Sequence, residues 1–364
     1  MHGLNPTSKN NMRNIYDYTL DELAQQFSPT YRAKQIYSWL YHRYIDDFDL
    51  MSNVSKELRT TLKESFSTQC VTILKIEHSI DGSKKYLFGT RDGHSYEAVL
   101  LQMREEQSGE KASEARYTIC LSSQIGCRVG CAFCYTGKGG FVRNLSAGEI
   151  VAQVVHIKRD NGFAPQKGLN IVFMGMGEPL DNFDNVVRAI TILSSKDGLS
   201  IAPRRQTIST SGIAPRIEQL GKLNLGVQLA LSLHAVNDVL RSKLVPMNRS
   251  YNIREVLDVL RQFPFDSRKR LLFEYIMIKD VNDDLASAKE LVRLLNGFKA
   301  KVNLILFNPH EGSSFARPNA ESVRKFQEFL LSRGLLCLRK SLGLDISAAC
   351  GQLREKNVRA QAQL

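Results

Sequence analysis

Hydrophobic and polar positions follow two different rhythms along this chain, and the change falls near residue 117. Before it, Ile36, Trp39, Leu40 and Ile45 recur at helical spacing within 31–44, and a shorter helical pattern covers 20–27. Residues 55–66 predict a third helix. Strand-like runs follow at 71–79, 84–90 and 94–102, separated by Asp81-Gly82 and Asp92-Gly93, dipeptides suited to tight hairpin turns. This stretch, 1–103, is expected to be a small N-terminal helical/β accessory domain. The polar residues 104–116 predict a linker or surface loop.

Beyond it, nearly all-apolar runs at 117–123, 169–175, 205–211, 227–234, 271–278 and 301–307 alternate with helical stretches at 149–158, 186–193, 253–260, 286–295 and 323–331. Residues 335–341 are a candidate last strand. Ser146 and Glu149 make a capping box at the first of these helices. Strands apolar on both faces belong to a parallel sheet covered by helices. The expected fold is α/β: a partial (β/α)6 TIM-like barrel over 117–353, with a polar tail at 354–364. An open doubly wound sheet satisfies the same alternation.

Composition adds exclusions more than identity. Hydrophobic residues make up 43% and charged residues 24%, as in ordinary soluble proteins. No apolar run is long enough to span a bilayer, and the opening residues lack the apolar core of a secretory signal. A cytoplasmic protein without a membrane partner is expected. The net charge of +12 favours polyanionic partners without naming one.

Seven cysteines, an odd number, argue against a disulfide framework in a reducing compartment. Three of them, Cys127, Cys131 and Cys134, share one short segment directly after a predicted strand. Three thiolates can hold three irons of a four-iron cluster. The fourth iron is then open to chelate the amino and carboxylate groups of S-adenosylmethionine. A structural zinc site is the alternative. It needs four ligands, usually in two pairs, and its fourth would be Cys120, Cys337 or Cys350 at no familiar spacing.

The C-x3-C-x2-C spacing, with Phe133 before the third cysteine, resembles the radical S-adenosylmethionine superfamily. The match extends further. GCRVGCAFCYTGKGGFVRNL (126–145), FMGMGEP (173–179), ISTSG (208–212), LSLHAVND (231–238), FNP (307–309) and DISAACGQL (345–353), in this order, resemble the RlmN/Cfr family of RNA adenine methyltransferases. The resemblance covers nearly the whole chain. It implies one 4Fe-4S cluster on Cys127, Cys131 and Cys134, and two S-adenosylmethionine molecules per turnover. It places Gly177, Glu178, Ser209, Ser232, Leu233, His234 and Asn308 in the S-adenosylmethionine site. It further implies that Cys350 carries the methyl group as S-methylcysteine. Cys120 would assist deprotonation and form a transient disulfide with Cys350, and Glu97 would accept a proton.

Several of these residues also have plainer readings. A lone histidine such as His234 is commonly a core or supporting residue, and a glutamate alternating with apolar neighbours, like Glu97, commonly faces solvent. Cys70 and Cys337 read as small core hydrophobes. The implied substrates are an adenine of 23S rRNA and the adenine beside the anticodon of some tRNAs. The implied partner is a flavodoxin-type reductant, and a monomer suffices. Arg32, Lys34 and Arg43 are candidate RNA contacts. Gly140-Phe141 and Pro179 resemble the RlmN branch, which methylates carbon 2, whereas the Cfr branch methylates carbon 8. Leu342-Gly343-Leu344 departs from the Arg-Gly-Asp common in that branch.

Overall fold

The structure, a computed structural model, describes residues 12–103, 116–265, 270–310, 312–335, 337–338 and 342–353. The loop expected at 104–116 lies almost wholly outside the described residues, and the tail at 354–364 entirely so.

The chain opens with β1 (Arg13–Asn14), α1 (Leu20–Gln26), α2 (Tyr31–Tyr41) and α3 (Lys56–Ser65), then pairs β2 (Phe66–Ser67) in parallel with β1. Thr19 and Glu22 close a capping box on α1, and Ser55 accepts the Leu58 N–H to start α3. α2 ends at Tyr41, short of the expected 44, and Tyr44 takes a left-handed φ of 54° that no helix continues. Next come β3 (Val71–His78), β4 (Lys84–Thr90) and β5 (Ser95–Met103), an antiparallel meander. Its turns hold Gly82 and Gly93 at φ of 89° and 80°, the conformation for which the Asp-Gly pairs are suited.

β6 (Arg116–Cys120) begins the catalytic half. A hairpin of β7 (Gln124–Gly126) and β8 (Phe141–Asn144) encloses the short α4 (Tyr135–Lys138). Then α5 (Ala147–Asp160), β9 (Leu169–Phe173), α6 (Phe183–Ser194), β10 (Gln206–Thr210), α7 (Ala214–Leu223) and β11 (Gln228–Ser232) alternate. The chain continues through α8 (Asp238–Leu244), α9 (Ile253–Gln262), β12 (Leu271–Met277), α10 (Leu285–Leu294), β13 (Ala300–Leu306), α11 (Ala320–Ser332) and β14 (Cys337–Leu338).

The strands β6, β9, β10, β11, β12 and β13 pair in parallel in that order, and β14 extends the edge. Spatial order follows chain order without reversal, so there is no topological switch point of a doubly wound sheet. This is the expected partial barrel. The meander does not form a sheet of its own, however. β5 pairs antiparallel with β6, and one ten-stranded sheet runs from β14 to β3. The sequence rhythm changes near 117 because the sheet passes from antiparallel pairing to parallel strands buried on both faces.

α5 is buried from Ala147 through Lys158, since it lies between this sheet and the N-terminal segment. A Cβ on Gly148 would collide with the Asn14 side chain, and the Gly148 N–H donates to Asp17 Oδ1 at 2.6 Å. From α6, Arg188 donates to the Asp17 carbonyl at 2.6 Å and forms an ion pair with Glu22. The N-terminal helices are thereby fastened to the barrel's helical layer. No helix among the described residues is long and apolar enough to cross a membrane.

Candidate active site

The C-terminal ends of the parallel strands open into one pocket, and the cluster loop covers it. Its wall includes Cys120, Cys127, Cys131, Cys134, Gly177, Glu178, Ser209, Ser232, His234 and Cys350. The loop is held by its backbone. Gly126, at φ 72°, lets the β7–β8 hairpin close so that the Cys127 N–H donates to the Gly140 carbonyl at 2.7 Å. The Ala132 N–H reaches the Leu244 carbonyl, and the Cys134 N–H the Cys131 carbonyl, both at 3.0 Å. Burial pushes the Cys127 thiol up to about 12 and the Cys131 thiol well above its ordinary value. A pocket this dry disfavours bare thiolates. The protons leave only to a group whose own positive charge replaces them, as metal binding does. Among the described residues, no three His, Cys, Asp or Glu side chains are gathered where they could share a single ion. In a four-iron cluster each thiolate holds a different iron, so a shared focus is not required.

Beside the cysteines lies a polar cradle. Gly177 sits at φ 101°, and a Cβ there would stand 2.6 Å from the Gln124 side chain, so only glycine fits. Glu178 is buried. Its Oε2 accepts the Ser211 N–H at 2.7 Å and its Oε1 the Leu180 N–H at 3.1 Å. Burial pushes its carboxyl upward, against those donors, which favour the charged form. His234 accepts the Ile276 N–H on Nδ1 at 3.0 Å, which places the proton of the neutral ring on Nε2. Burial, with Arg241 second, holds its pKa down at about 3, so the ring is uncharged near neutrality. Phe133 packs against it edge-on, 4.8 Å between ring centres.

Two expected residues are not at the wall. Leu233 is 1% exposed and contributes backbone: its N–H donates to the Glu274 carbonyl at 3.0 Å. Asn308 accepts from Arg317 on Oδ1 at 3.1 Å, while its buried Nδ2 has no partner. That orphaned donor and the glycine cradle are features a polar ligand would complete, and they fit S-adenosylmethionine.

The sequence reading missed Glu274. This carboxylate is buried in the pocket wall opposite Ser232 across β11 and β12. Its Oε2 accepts from Ser209 Oγ at 3.1 Å and lies 3.5 Å from Ser232 Oγ. The available signal was a single acidic residue inside the apolar run LLFEYIMI.

The C-terminal strap, 342–353, brings Cys350 to the cluster loop. The Tyr135 N–H donates to the Gly351 carbonyl at 2.7 Å and Thr136 Oγ1 to the Leu353 carbonyl at 2.6 Å. Its other end is tied to the β3–β4 turn. Asp345 accepts from Ser79 Oγ and the Ile80 N–H, and Asp81 accepts the Gly343 N–H, at 2.6–3.1 Å. Cys120, at the end of β6, is 8% exposed and sits opposite Val99 of β5. Glu97 lies two residues before Val99 on the same face, and at 2% exposure it is buried, contrary to the plain reading of a solvent-facing glutamate. It is not itself at the pocket wall. Cys70 is buried in the core as expected; the side chain of Cys337 lies outside the described residues.

A second residue that sequence reasoning passed over holds these loops together. Arg241 is fully buried. It donates to the carbonyls of Ser211, Ser232 and Leu233 and to Asn248 Oδ1, at 2.6–3.1 Å. Arg241→Met removes those donors and strands four acceptors, each worth about 1–3 kcal/mol when buried. The expected loss is about 3–5 kcal/mol of unfolding free energy, read by urea denaturation. A loss below about 1 kcal/mol would show that water replaces the guanidinium.

Comparison with known proteins agrees with this geometry. Residues 121–292 match the family model of the radical SAM superfamily, and residues 12–67 that of the ribosomal RNA large subunit methyltransferase N-terminal domain. The dual-specificity RNA methyltransferase RlmN of Helicobacter hepaticus is 64% identical, over 94% of each chain. That of Wolinella succinogenes is 60% identical over 96% of this chain and 99% of its own. This chain belongs to the RlmN family. A crystal structure of a radical SAM methyltransferase from Sphaerobacter thermophilus superposes with a TM-score of 0.86 at 43% identity, covering 94% of this chain and 99% of that one. The chain is therefore a radical S-adenosylmethionine RNA methyltransferase, of a family that uses a 4Fe-4S cluster and S-adenosylmethionine.

Proposed function

We propose that this enzyme methylates carbon 2 of adenosine 2503 in 23S rRNA and of adenosine 37 in some tRNAs. The observation that carries this reading is the placement of Cys120 and Cys350, from opposite ends of the catalytic unit, in one pocket with the three cysteines of the cluster loop. Carbon 2 of adenine lies between two ring nitrogens and is too electron-poor to attack a sulfonium methyl group. A carbon-centred radical can add to it instead.

Cys127, Cys131 and Cys134 would hold the cluster, which when bound supplies the electron that cleaves S-adenosylmethionine to a 5′-deoxyadenosyl radical. Glu178 would receive the ammonium of S-adenosylmethionine, and Ser209, Ser232, His234 and Asn308 its other polar groups, with Gly177 and Leu233 shaping the backbone. Glu274 would act with Ser209 and Ser232. Cys350 first accepts a methyl group on sulfur. Loss of a hydrogen atom from that group leaves a methylene radical, which bonds to carbon 2 and ties RNA to protein. The adduct must then lose one electron, which the cluster, left oxidised by cleavage of S-adenosylmethionine, would take back, and the carbon-2 proton, by way of Cys120 and Glu97. Attack of the Cys120 sulfur on the Cys350 sulfur forms a disulfide and breaks the bond to carbon, and the released methylene takes up a proton from solvent to become the methyl group of the base. Reduction restores both thiols.

The target base must be splayed out of folded RNA to reach the pocket. The net charge of +12 suits phosphate contacts. Arg128 in the cluster loop, stacked 4.1 Å over Phe141, is 60% exposed beside the site. Arg32, Lys34 and Arg43 are exposed on the N-terminal unit, Arg43 lying 4.2 Å over Trp39. Lys34 also pairs with Asp197 at 3.6 Å, so its charge is partly engaged. The reading includes a flavodoxin-type reductant, a monomeric state and a cytoplasmic location.

Mass spectrometry and NMR of adenosine from RNA treated with the reconstituted enzyme test the proposal. The expected product is 2-methyladenosine in both RNAs; 8-methyladenosine would overturn the carbon-2 assignment, which rests on Gly140-Phe141 and Pro179.

A further inference from the structure

Behind the pocket, a line of charged side chains crosses the meander on the inner face of the sheet. Glu77, Lys85, Val99 and Cys120 are successive cross-strand neighbours on β3, β4, β5 and β6. Val99 and Cys120 line the pocket, so this row points inward. Glu97 stands beside it, on the same face of β5. The Lys85 ammonium lies 3.3 Å from Glu97 Oε1 and 2.8 Å from Glu77 Oε2. The side chains of Lys85 and Glu97 are 7% and 3% exposed. Glu77 is 24% exposed and pairs at 2.6 Å with Lys75, itself 57% exposed. Charged groups thus step from a carboxylate buried behind the reaction pocket out to solvent, each within contact of the next. Burying an ammonium costs several kcal/mol unless it is paired, and an apolar residue would fill this interior position without that cost.

We propose that Lys85 is a positioning residue and proton conduit for Glu97, passing the proton taken from the RNA adduct to Glu77 and on to water. The inference rests on the role proposed above for Glu97. Exit is coupled to uptake: as Glu97 takes the proton of the adduct, Lys85 delivers one of its own to Glu77 and is replenished from the Glu97 carboxyl in the same step, so even a single turnover requires the whole relay. Lys85 begins and ends as an ammonium, Glu97 returns to a carboxylate, and Glu77 leaves the proton with water. No electrons move. The same ion pair fixes the Glu97 carboxylate in place between turnovers.

The test uses the full chain, reconstituted with its cluster and supplied with a transcribed 23S rRNA fragment. Three quantities are followed in a single turnover: 5′-deoxyadenosine, S-methylation of Cys350 by mass spectrometry, and the covalent RNA–protein adduct on denaturing gels. Lys85→Met and Glu77→Gln are expected to match the parent in the first two. Their adduct should persist, with methylated RNA appearing on the order of tenfold more slowly or worse. Lys85→Arg, which keeps the charge, should recover most of the rate. Should Lys85→Met fold poorly, Glu77→Gln, which leaves the Lys85–Glu97 pair intact, carries the test alone. Resolution of the adduct at the parental rate in Glu77→Gln overturns the conduit, as does a parallel fall in all three readouts. Absence of any adduct from both the parent and Cys120→Ala removes the conduit together with the proposed function, and is recognisable because it does not depend on Lys85.

Discussion

Cys350→Ala is expected to abolish RNA methylation and to leave no covalent RNA–protein complex, whereas Cys120→Ala should accumulate that complex. The two thiols differ in place as well as in proposed role. Cys350 sits on a strap pinned to the cluster loop through the Gly351 and Leu353 carbonyls, where a methylated sulfur would lie within the pocket. Without that sulfur there is no carbon to become a radical, and methylation falls to background. Cys120 ends β6 in the wall of the same pocket. Its loss leaves methyl transfer to Cys350 and addition to the base untouched but removes the sulfur that would break the carbon–sulfur bond. Neither substitution should cost more than about 1–2 kcal/mol of stability, since each removes one sulfur atom. Denaturing gels and mass spectrometry of the RNA read both outcomes. Full methylation by Cys350→Ala would show that the methyl group never rests on this residue.

Cys131→Ala should give a colourless protein that produces no 5′-deoxyadenosine and methylates nothing. Cys131, like Cys127, is a thiol that burial pushes up, in the loop that closes over the pocket. Two remaining thiolates would hold only two irons of the cluster, and activity falls to background rather than by a fraction. The fold should survive, because the loop is held by backbone hydrogen bonds to Gly140 and Leu244 rather than by its sulfurs. Iron and sulfide analysis after anaerobic purification, with a denaturation curve alongside, separates loss of cluster from loss of fold. A parent protein that is colourless and carries stoichiometric zinc would replace the radical reading with that of a zinc-stabilised RNA-binding protein.

The barrel strands were legible because burial on both faces leaves a nearly unbroken apolar run, as in the buried Leu229-Ala230-Leu231 of β11 and Tyr275-Ile276-Met277 of β12. The cluster loop and the Gly-Glu-Pro cradle were legible because their spacing is itself the chemistry. α8 and the β7–β8 hairpin were not, being short elements with few apolar positions, and α7, though as long as α9, has its pattern interrupted by Pro215 and Gly221. Single charged residues inside strands were less legible. Glu97 looks in sequence like the solvent-facing member of an alternation, Glu274 is a lone acid in an apolar run and Lys85 drew no reading at all, yet each is buried with a partner from another strand that compensates its charge or hydrogen bonds. Such partners are distant along the chain and leave no local trace. The tie between Asp81 and Gly343 spans most of the catalytic half for the same reason.

The continuity of the sheet from β14 to β3 bears on who yields when enzyme and RNA meet. Among the described residues, a meander hydrogen-bonded into the barrel, with the N-terminal helices latched to α5 and α6 by Asp17 and Arg188, shows no joint about which to close on a substrate. In the proposed reaction the distortion needed to bring an adenine into the pocket would then fall on the nucleic acid, and the stiffness of the RNA around its target base would be a determinant of which adenines react.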